Sequence, residues 1–268
     1  MRNLSGKTVI VTGGGGGIGG ATSRRFSEEG AKVAVFDMNV EAAQKVVDGI
    51  QASGGVAQAF KCDITNRDEV DAAVAAAEAA LGPIDVLVNN AGLGLFGAFE
   101  ATPMATVRDI FETNTFGTMA MTQAVLPQFR ARRAGTVINV TSSATLAPMP
   151  LVAAYTASKT AVEGFTESLA FELEAFNVRV KLVEPGYAPT TRFTANGAQR
   201  MQGLIPEAYA SYAQSVFAML GQPAAVTSEQ DVAEAVWRAA NEPSPQMRYP
   251  AGADAVALAA RHRTPASV

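Results

Sequence analysis

The chain of 268 residues carries a formal net charge of −4, one cysteine and one histidine. An acidic chain does not favour nucleic acids or anionic membrane surfaces, because proteins that bind these partners usually present basic faces. The lone His262 argues against a Ser-His-Asp hydrolase and a histidine-rich metal site, so we predict no bound metal. Cys62 has no partner for an internal disulfide and no leader-like segment precedes the first strand, which together predict a cytoplasmic location.

Apolar, β-rich runs alternate with helical patterns along the chain. Strands are predicted at Lys7–Thr12, Lys32–Phe36, Val56–Lys61, Ile84–Val88, Thr136–Thr141, Arg179–Val183 and Met247–Tyr249. Helices are predicted at about Ile18–Glu29, Val40–Ala52, Arg67–Leu81, Met104–Arg133, Ala153–Phe176 and Glu229–Asn241. Such alternation implies right-handed βαβ crossovers. We therefore expect one doubly wound α/β domain of the Rossmann type over residues 1–268, with about seven parallel strands between helices on both faces.

Two segments do not fit this alternation. Residues 191–226 contain a helix-like piece, Pro206–Leu220, and many large apolar side chains. A long excursion after the carboxyl end of a strand often covers a ligand site, so this segment is predicted to form a lid. The polar end of the chain, Arg261–Val268, is predicted to be disordered or to reach another subunit.

A glycine-rich loop, Thr12-Gly13-Gly14-Gly15-Gly16-Gly17-Ile18-Gly19, follows the first strand and opens a helix. Glycines allow a tight turn and a close approach of the backbone to a pyrophosphate, while a helix N-terminus offers free N–H groups. The spacing assigns the structural positions to Gly13, Gly17 and Gly19, with Ile18 between the last two. We prefer a phosphate-binding loop to a plain flexible turn, because the loop lies between a strand and a helix.

Asp37 ends the second strand, close to where a carboxylate accepts hydrogen bonds from the ribose hydroxyls of a bound adenosine. Its charge would repel a 2′-phosphate, and neither Gly16 nor Met38 supplies a cation to neutralise one. These residues favour NAD over NADP. A helix cap or a solvated strand end is the alternative role for Asp37.

Tyr155 and Lys159 are four residues apart on a predicted helix and therefore share one face. A phenol titrates near ~10, and a neighbouring positive charge lowers that value, so the pair is predicted to act as an acid/base. An exposed helix pair is the alternative reading. Ser142 ends the fifth strand thirteen residues upstream of Tyr155 and is the candidate donor to a substrate oxygen.

In order and spacing, these motifs resemble the basic type of the short-chain dehydrogenase/reductase family. Further matching positions are Asp63 after the third strand, Asn89-Asn90-Ala91-Gly92 after the fourth, Asn114, and Pro185-Gly186 after the sixth. The resemblance implies that Asp63 and Ile64 contact the adenine of a dinucleotide. It also implies that the segment after the fourth strand lines the adenosine side through Asn90, Ala91 and Gly92.

The resemblance assigns further roles near the nicotinamide. Asn114 would hold Lys159 through a water, and the loop after the sixth strand would contact the nicotinamide amide through Pro185, Gly186, Ala188 and Thr190. The chain departs from the family here, because a branched aliphatic residue is usual at the position of Ala188 and Pro189 stiffens the loop.

The activity implied is an NAD-dependent transfer of hydride between nicotinamide and a hydrophobic or aromatic secondary alcohol or ketone. A 3-oxoacyl-thioester reductase is an alternative, although such enzymes usually use NADP and Asp37 counts against that. A non-catalytic NAD-sensing or scaffold protein of the same fold is a second alternative, although the Ser, Tyr and Lys positions are all filled. The expected partners are a small-molecule substrate and copies of the same chain in a dimer or a homotetramer, with no nucleic acid or membrane.

Overall fold

The computed structural model describes residues 4–189, 191, 197, 200–221 and 225–262, and within them seven strands form one parallel sheet. The strands are β1 Thr8–Thr12, β2 Lys32–Asp37, β3 Val56–Lys61, β4 Ile84–Asn89, β5 Gly135–Val140, β6 Val178–Pro185 and β7 Arg248–Ala251. Their order across the sheet is β3-β2-β1-β4-β5-β6-β7. The predicted doubly wound α/β architecture is therefore confirmed.

Helices connect the strands. They are α1 Gly17–Glu28, α2 Val40–Ala52, α3 Arg67–Leu81, α4 Met104–Phe111, α5 Thr118–Arg132, α6 Ala153–Glu174, α7 Glu207–Leu220, α8 Glu229–Asn241 and α9 Ala253–His262. Within the described ranges, none of these helices combines the length and apolarity that crossing a membrane requires.

One prediction about the helices is wrong. The single helix expected over Met104–Arg133 is divided by a π-helical turn, Glu112–Gly117, between α4 and α5. Such turns insert one residue into the helical register and are frequent at functional sites. The segment Arg261–Val268, predicted to be disordered or to reach another subunit, is described only at Arg261 and His262, which end α9, a helix with buried alanines such as Ala255 and Ala259. Residues 263–268 lie outside the described part.

The core has two layers because each central strand is buried on both faces. In β1, Val9 and Val11 pack into one cluster with α1, α2 and α8, whereas Ile10 packs into the other with α3, α5 and α6. This explains why β1 is a continuous apolar run rather than an alternating one.

The sheet reverses its winding at β1. This strand pairs with β2 on one side and with β4 on the other, so the helices that follow β1 and β4 leave on opposite faces. In open α/β sheets, ligands bind in the crevice at the carboxyl ends of the strands at such a switch point. Here that crevice opens after Thr12 and Asn89.

Two buried amides join β4 to β5 in the middle of the sheet. Asn89 lies opposite Asn139 in the register and donates to its Oδ1 over 2.8 Å, and Asn139 donates in turn to Thr166 Oγ1 of α6 over 2.8 Å. Because Asn139 is fully buried, neither of its partners can replace it with bulk water.

Replacing Asn139 by alanine is expected to lower the free energy of unfolding by about 2–4 kcal/mol, because two buried polar groups lose their partner and a cavity remains. Chemical denaturation measures the change. Gln58→Ala on the exposed face of edge strand β3 is the matched amide control and should change stability by less than about 0.5 kcal/mol. Equal effects of the two substitutions would contradict the structural role of the amide pair.

Candidate active site

One cavity of about 1030 Å³ lies at the switch point. Its lining brings together nearly all of the site residues expected from the sequence: Gly13, Gly17, Ile18, Gly19, Asp37, Asp63, Ile64, Asn90, Ala91, Gly92, Ser142, Tyr155, Lys159, Pro185, Gly186 and Ala188. Asn114 lies behind this lining as a fully buried residue. Thr190 lies outside the described residues.

The glycine loop is shaped by three of its glycines. Gly13 and Gly17 adopt φ angles of 62° and 53°, a region that L side chains rarely occupy. Gly19 lies so close to the loop that an added Cβ would be 2.1 Å from the carbonyl oxygen of Gly13. These are the three positions that the spacing selects among consecutive glycines.

The first turn of α1 leaves donors directed toward the cavity. The helix begins after Gly16 without a side-chain cap, whereas Asn39 caps α2 and Ser228 caps α8. Gly17, Ile18 and Gly19 line the cavity. Free N–H groups at a helix N-terminus suit an anion, so this end of the cavity fits the pyrophosphate of a dinucleotide.

Thr12 ties the loop to the end of β4. Its hydroxyl accepts hydrogen bonds from the backbone N–H groups of Asn90 over 3.0 Å and Ala91 over 3.1 Å. Asn90 returns a bond from its side chain to the Thr12 carbonyl over 3.0 Å. The sequence analysis treated Thr12 only as the first letter of the motif, since its cross-strand partners are remote in the chain.

Asp37 is held by the backbone at the end of β2. One carboxylate oxygen accepts from Gly15 N and the other from Asn39 N, each over 2.9 Å. A carboxylate has about four acceptor positions, so further donors can still bind to it. Asp63 closes an Asx turn by accepting from the backbone N–H and the hydroxyl of Thr65.

Ser142, Tyr155 and Lys159 converge from two elements. Ser142 follows β5 and its hydroxyl is hydrogen-bonded to the Tyr155 phenol. Lys159 lies one turn further along α6 and donates to the carbonyl of Val140 over 3.0 Å. All three side chains line the cavity, and Tyr155 and Lys159 are buried.

The pKa of Tyr155 is raised, whereas the sequence predicted that it is lowered. Burial raises the pKa of Tyr155 to about 12, and the hydrogen bond with Ser142 opposes that rise. Burial also lowers the pKa of Lys159 to about 8, which the charge of Glu163 opposes. The prediction that Lys159 lowers the pKa of Tyr155 is wrong, because desolvation of the buried phenol has the largest effect on that pKa and raises it.

Asn114 is placed by the π-helical turn. It accepts from Leu93 N over 2.7 Å and donates to Leu93 O and to Ser158 Oγ, each over 3.0 Å. A Cβ on Gly92 would lie 3.2 Å from both Asn114 Oδ1 and Lys159 Nζ. Glycine at this position therefore lets Asn114 and Lys159 approach the same stretch of backbone.

The loop after β6 is anchored by residues that the sequence analysis missed. Asp254, near the start of α9, accepts from Tyr187 N over 2.6 Å and from the Thr227 hydroxyl over 2.6 Å. Its carboxylate occupies the space that a Cβ on Gly186 would need. The residue lies far from the loop in the chain, and no local pattern marks it.

The two ends of the cavity differ in charge. Among its described lining residues, the charged ones are Asp37, Asp63 and Lys159. The end beyond Ser142 is lined mainly by apolar side chains: Leu93, Leu95, Phe96, Met149, Val152, Met201, Ile205, Phe217 and Leu220. A neutral, apolar ligand would fit this end without an unpaired charge.

Comparison with known proteins gives a family for this arrangement. The family described as short chain dehydrogenase matches residues 7–201. The 7alpha-hydroxysteroid dehydrogenase of Escherichia coli (strain K12) is 39% identical over 183 residues, covering 68% of this chain and 71% of that protein.

Two solved structures share the fold. A short chain dehydrogenase/reductase from Burkholderia phymatum in complex with NAD has a TM-score of 0.84 at 25% identity, covering 98% of this chain and 94% of that chain. A metagenomic short-chain oxidoreductase in complex with NADP has a TM-score of 0.74 at 30% identity, covering 93% of this chain and 98% of that chain.

Two glycines of the loop should respond differently to substitution by alanine. Gly19→Ala is expected to lower the free energy of unfolding by at least about 2 kcal/mol, because its Cβ meets rigid backbone. Gly16→Ala, where no atom lies within 4 Å of the added Cβ, should cost less than about 1 kcal/mol. Thermal unfolding with matched denaturant curves measures both, and a smaller loss for Gly19→Ala would refute this packing of the loop.

Proposed function

The chain belongs to the short-chain dehydrogenase family, and we propose that it is an NAD-dependent oxidoreductase acting on an apolar secondary alcohol or ketone. The observation that carries the proposal is the hydrogen-bonded Ser142–Tyr155 pair beside buried Lys159, on a cavity that also contains an uncapped helix N-terminus. A candidate proton-transfer group and a helix N-terminus suited to a pyrophosphate line the same cavity, which supports hydride transfer to or from a dinucleotide.

Each catalytic group has a separate task. A bound nicotinamide supplies the hydride acceptor or donor. Ser142 donates a hydrogen bond to the substrate oxygen, which stabilises the charge that develops there. Tyr155 takes the hydroxyl proton during oxidation and returns it to the ketone oxygen during reduction. Lys159 supplies positive charge beside the phenol and binds the hydroxyls of the nicotinamide ribose, while Asn114 holds the backbone near Lys159.

The high pKa of Tyr155 is consistent with this cycle. A buried neutral phenol is a proton donor, which suits ketone reduction. Oxidation needs the phenolate, a form that the positive charge of an oxidised nicotinamide bound in this cavity would favour.

The preference for NAD rests on Asp37. Its carboxylate is fixed by Gly15 N and Asn39 N at the end of β2, beside the adenosine end of the cavity. Met38 is exposed and uncharged, and an added Cβ on Gly16 would face open space. A 2′-phosphate would meet negative charge at this place, with no basic side chain at Gly16 or Met38 to offset it.

The apolar substrate rests on the uncharged end of the cavity. Phe217 of α7 packs against Phe96 with the ring centroids 4.9 Å apart. This contact supports a lid that covers this end of the cavity. Arg200 is not part of the lining, and Arg192 lies outside the described residues. The uncharged lining favours a hydrophobic or aromatic substrate over an acyl thioester, whose carrier contains phosphate groups.

We also propose that the chain forms a homo-oligomer. Phe116 of the π-helical turn and Phe171 of α6 expose 53% and 81% of their surface, although both are large and apolar. Exposed aromatic residues on neighbouring helices suit a subunit interface. A cytoplasmic location stays a prediction.

Tyr155→Phe is expected to reduce kcat by about 10²–10⁴-fold, because the proton donor and acceptor is removed. Dinucleotide affinity should change little, since the ring is retained. Nicotinamide absorbance with a panel of secondary alcohols and ketones measures turnover, and fluorescence titration measures binding. Wild-type binding of NAD without turnover of any panel member would favour a sensor or scaffold protein instead.

Asp37→Ser is expected to lower the ratio of kcat/KM for NAD to that for NADP by at least about 10-fold, since it removes the charge that repels a 2′-phosphate. Asp48→Ser is the matched control. It removes an exposed carboxylate of α2 that does not line the cavity, so it should leave the ratio unchanged. Wild-type preference for NADP would contradict the proposed cofactor.

A further inference from the structure

A cluster of ionised side chains lies on the same face of α6 as Lys159. Arg248 of β7 donates to Glu163 over 2.8 Å, to Glu167 over 2.7 Å, and to Glu184 of β6. We call these four residues the Arg248 cluster. The side chains of Glu163 and Glu184 are 9% and 0% exposed, whereas that of Glu167 is 52% exposed.

The helical period connects this cluster to the candidate active site. Tyr155, Lys159, Glu163 and Glu167 follow one another at intervals of four residues, so each is adjacent to the next on α6 while the row turns by about 40° per step. The first three are buried and the last is exposed. Glu163 is thus the carboxylate adjacent to Lys159, and Glu167 lies one turn further from it.

Glu163 is also linked to the segment that carries Ser142. Its Oε1 accepts from the hydroxyl of Thr141 over 3.1 Å, and it lies 2.5 Å from the hydroxyl of Thr145. The same Thr145 hydroxyl lies 2.6 Å from the carbonyl oxygen of Ser142. One carboxylate therefore contacts both ends of the short segment that contains Ser142.

The electrostatics of Lys159 depend on few groups. On its own helix it faces Tyr155 and Glu163, while the π-helical turn and the segment after β5 contribute neutral Asn114 and Ser142. Among the described residues, Glu163 is the charge that raises the pKa of Lys159 against the lowering by burial. Arg248 of β7 contacts the other carboxylate oxygen of Glu163. Glu184 of β6 contacts the same guanidinium of Arg248.

A carboxylate buried to this extent stays ionised when a guanidinium and hydroxyl donors compensate for its desolvation. Arg248 and the two threonines meet that requirement at Glu163. We propose that Glu163 is a positioning residue whose charge, maintained by Arg248, keeps Lys159 protonated and whose contacts fix the segment carrying Ser142. The inference rests on the roles proposed for Lys159 and Ser142.

The first test measures the Lys159 ammonium directly. In protein labelled with ¹³Cε-lysine, the Lys159 resonance is assigned by its loss in Lys159→Arg and titrated with pH. The wild-type titration midpoint is expected at a pH of about 8. In Glu163→Gln the midpoint should fall by about one pH unit or more, because removal of the opposite charge favours the neutral amine.

Glu167→Gln is the matched control, since it removes an ion pair of the same Arg248 without approaching Lys159. It should shift the midpoint by less than about 0.3 pH unit, as expected for an exposed charge, and it should leave turnover unchanged. An unshifted midpoint in Glu163→Gln, or equal shifts in both variants, would overturn the inference. Glu163→Asp, which keeps the charge on a shorter side chain, should restore most of the wild-type midpoint, and failure to do so would also count against it.

The second test separates the charge of Glu163 from its contacts. Thr145→Val removes the hydroxyl between Glu163 and Ser142 but no charge, so kcat should fall by about 10-fold while the Lys159 midpoint stays at its wild-type value. An unchanged kcat would contradict the proposal that the contacts of Glu163 fix the segment carrying Ser142. The titrations need no turnover, so an inactive wild-type protein would refute the proposed function while the ¹³C result still decides the role of Glu163.

Discussion

The reversal of winding between β1 and β4 is the constraint on which the rest of the molecule depends. Because the helices that follow the two strands lie on opposite faces of the sheet, a crevice opens between the strand ends whichever side chains line it. Thr12 then sets the width of that crevice, since one hydroxyl binds two consecutive backbone N–H groups of the β4 loop. The uncapped start of α1 follows β1 and Gly92 follows β4, while Asp37 at the end of the neighbouring β2 accepts from Gly15 N of the loop after β1.

The distribution of charge follows from the same geometry. Asp37 and Asp63 follow neighbouring strands on one side of the reversal, and Lys159 reaches the cavity from α6 on the other side. The apolar end lies beyond Ser142, where loops and α7 contribute Phe96 and Phe217. The cavity is therefore acidic where Asp37 and Asp63 lie and uncharged at the end beyond Ser142.

Local patterns could predict much of the fold, the glycine loop, and Asp37, Ser142, Tyr155 and Lys159 as site candidates. The remaining site candidates, among them Asp63 and Asn114, came from the resemblance to a family. Strands such as β1 are buried on both faces, so they read as continuous apolar runs, and the glycine loop has a spacing that few other structures require. The division of the long helix at Glu112 could not be predicted, because the π-helical turn depends on tertiary hydrogen bonds of Asn114 with Leu93 and Ser158. Asp254 was missed for the same reason, since its partners lie 67 and 27 residues away. The pKa of Tyr155 was misjudged because a sequence shows the neighbouring charge but not the depth of burial.

Tyr155, Lys159, Glu163 and Glu167 follow one another along α6 from the cavity toward solvent, and the first three are buried whereas Glu167 is exposed. Lys159 thus places a positive charge between the phenol of Tyr155 and the carboxylate of Glu163. A phenol needs a cation beside it, and a buried cation needs a carboxylate that water does not screen. The carboxylate in turn needs a guanidinium, which Arg248 supplies from the last strand of the sheet. In the proposed role of Glu163, the edge strand β7 acts on Lys159 through Arg248 and Glu163, which gives a physical reason for ionised groups in an interior where apolar ones would pack at lower cost.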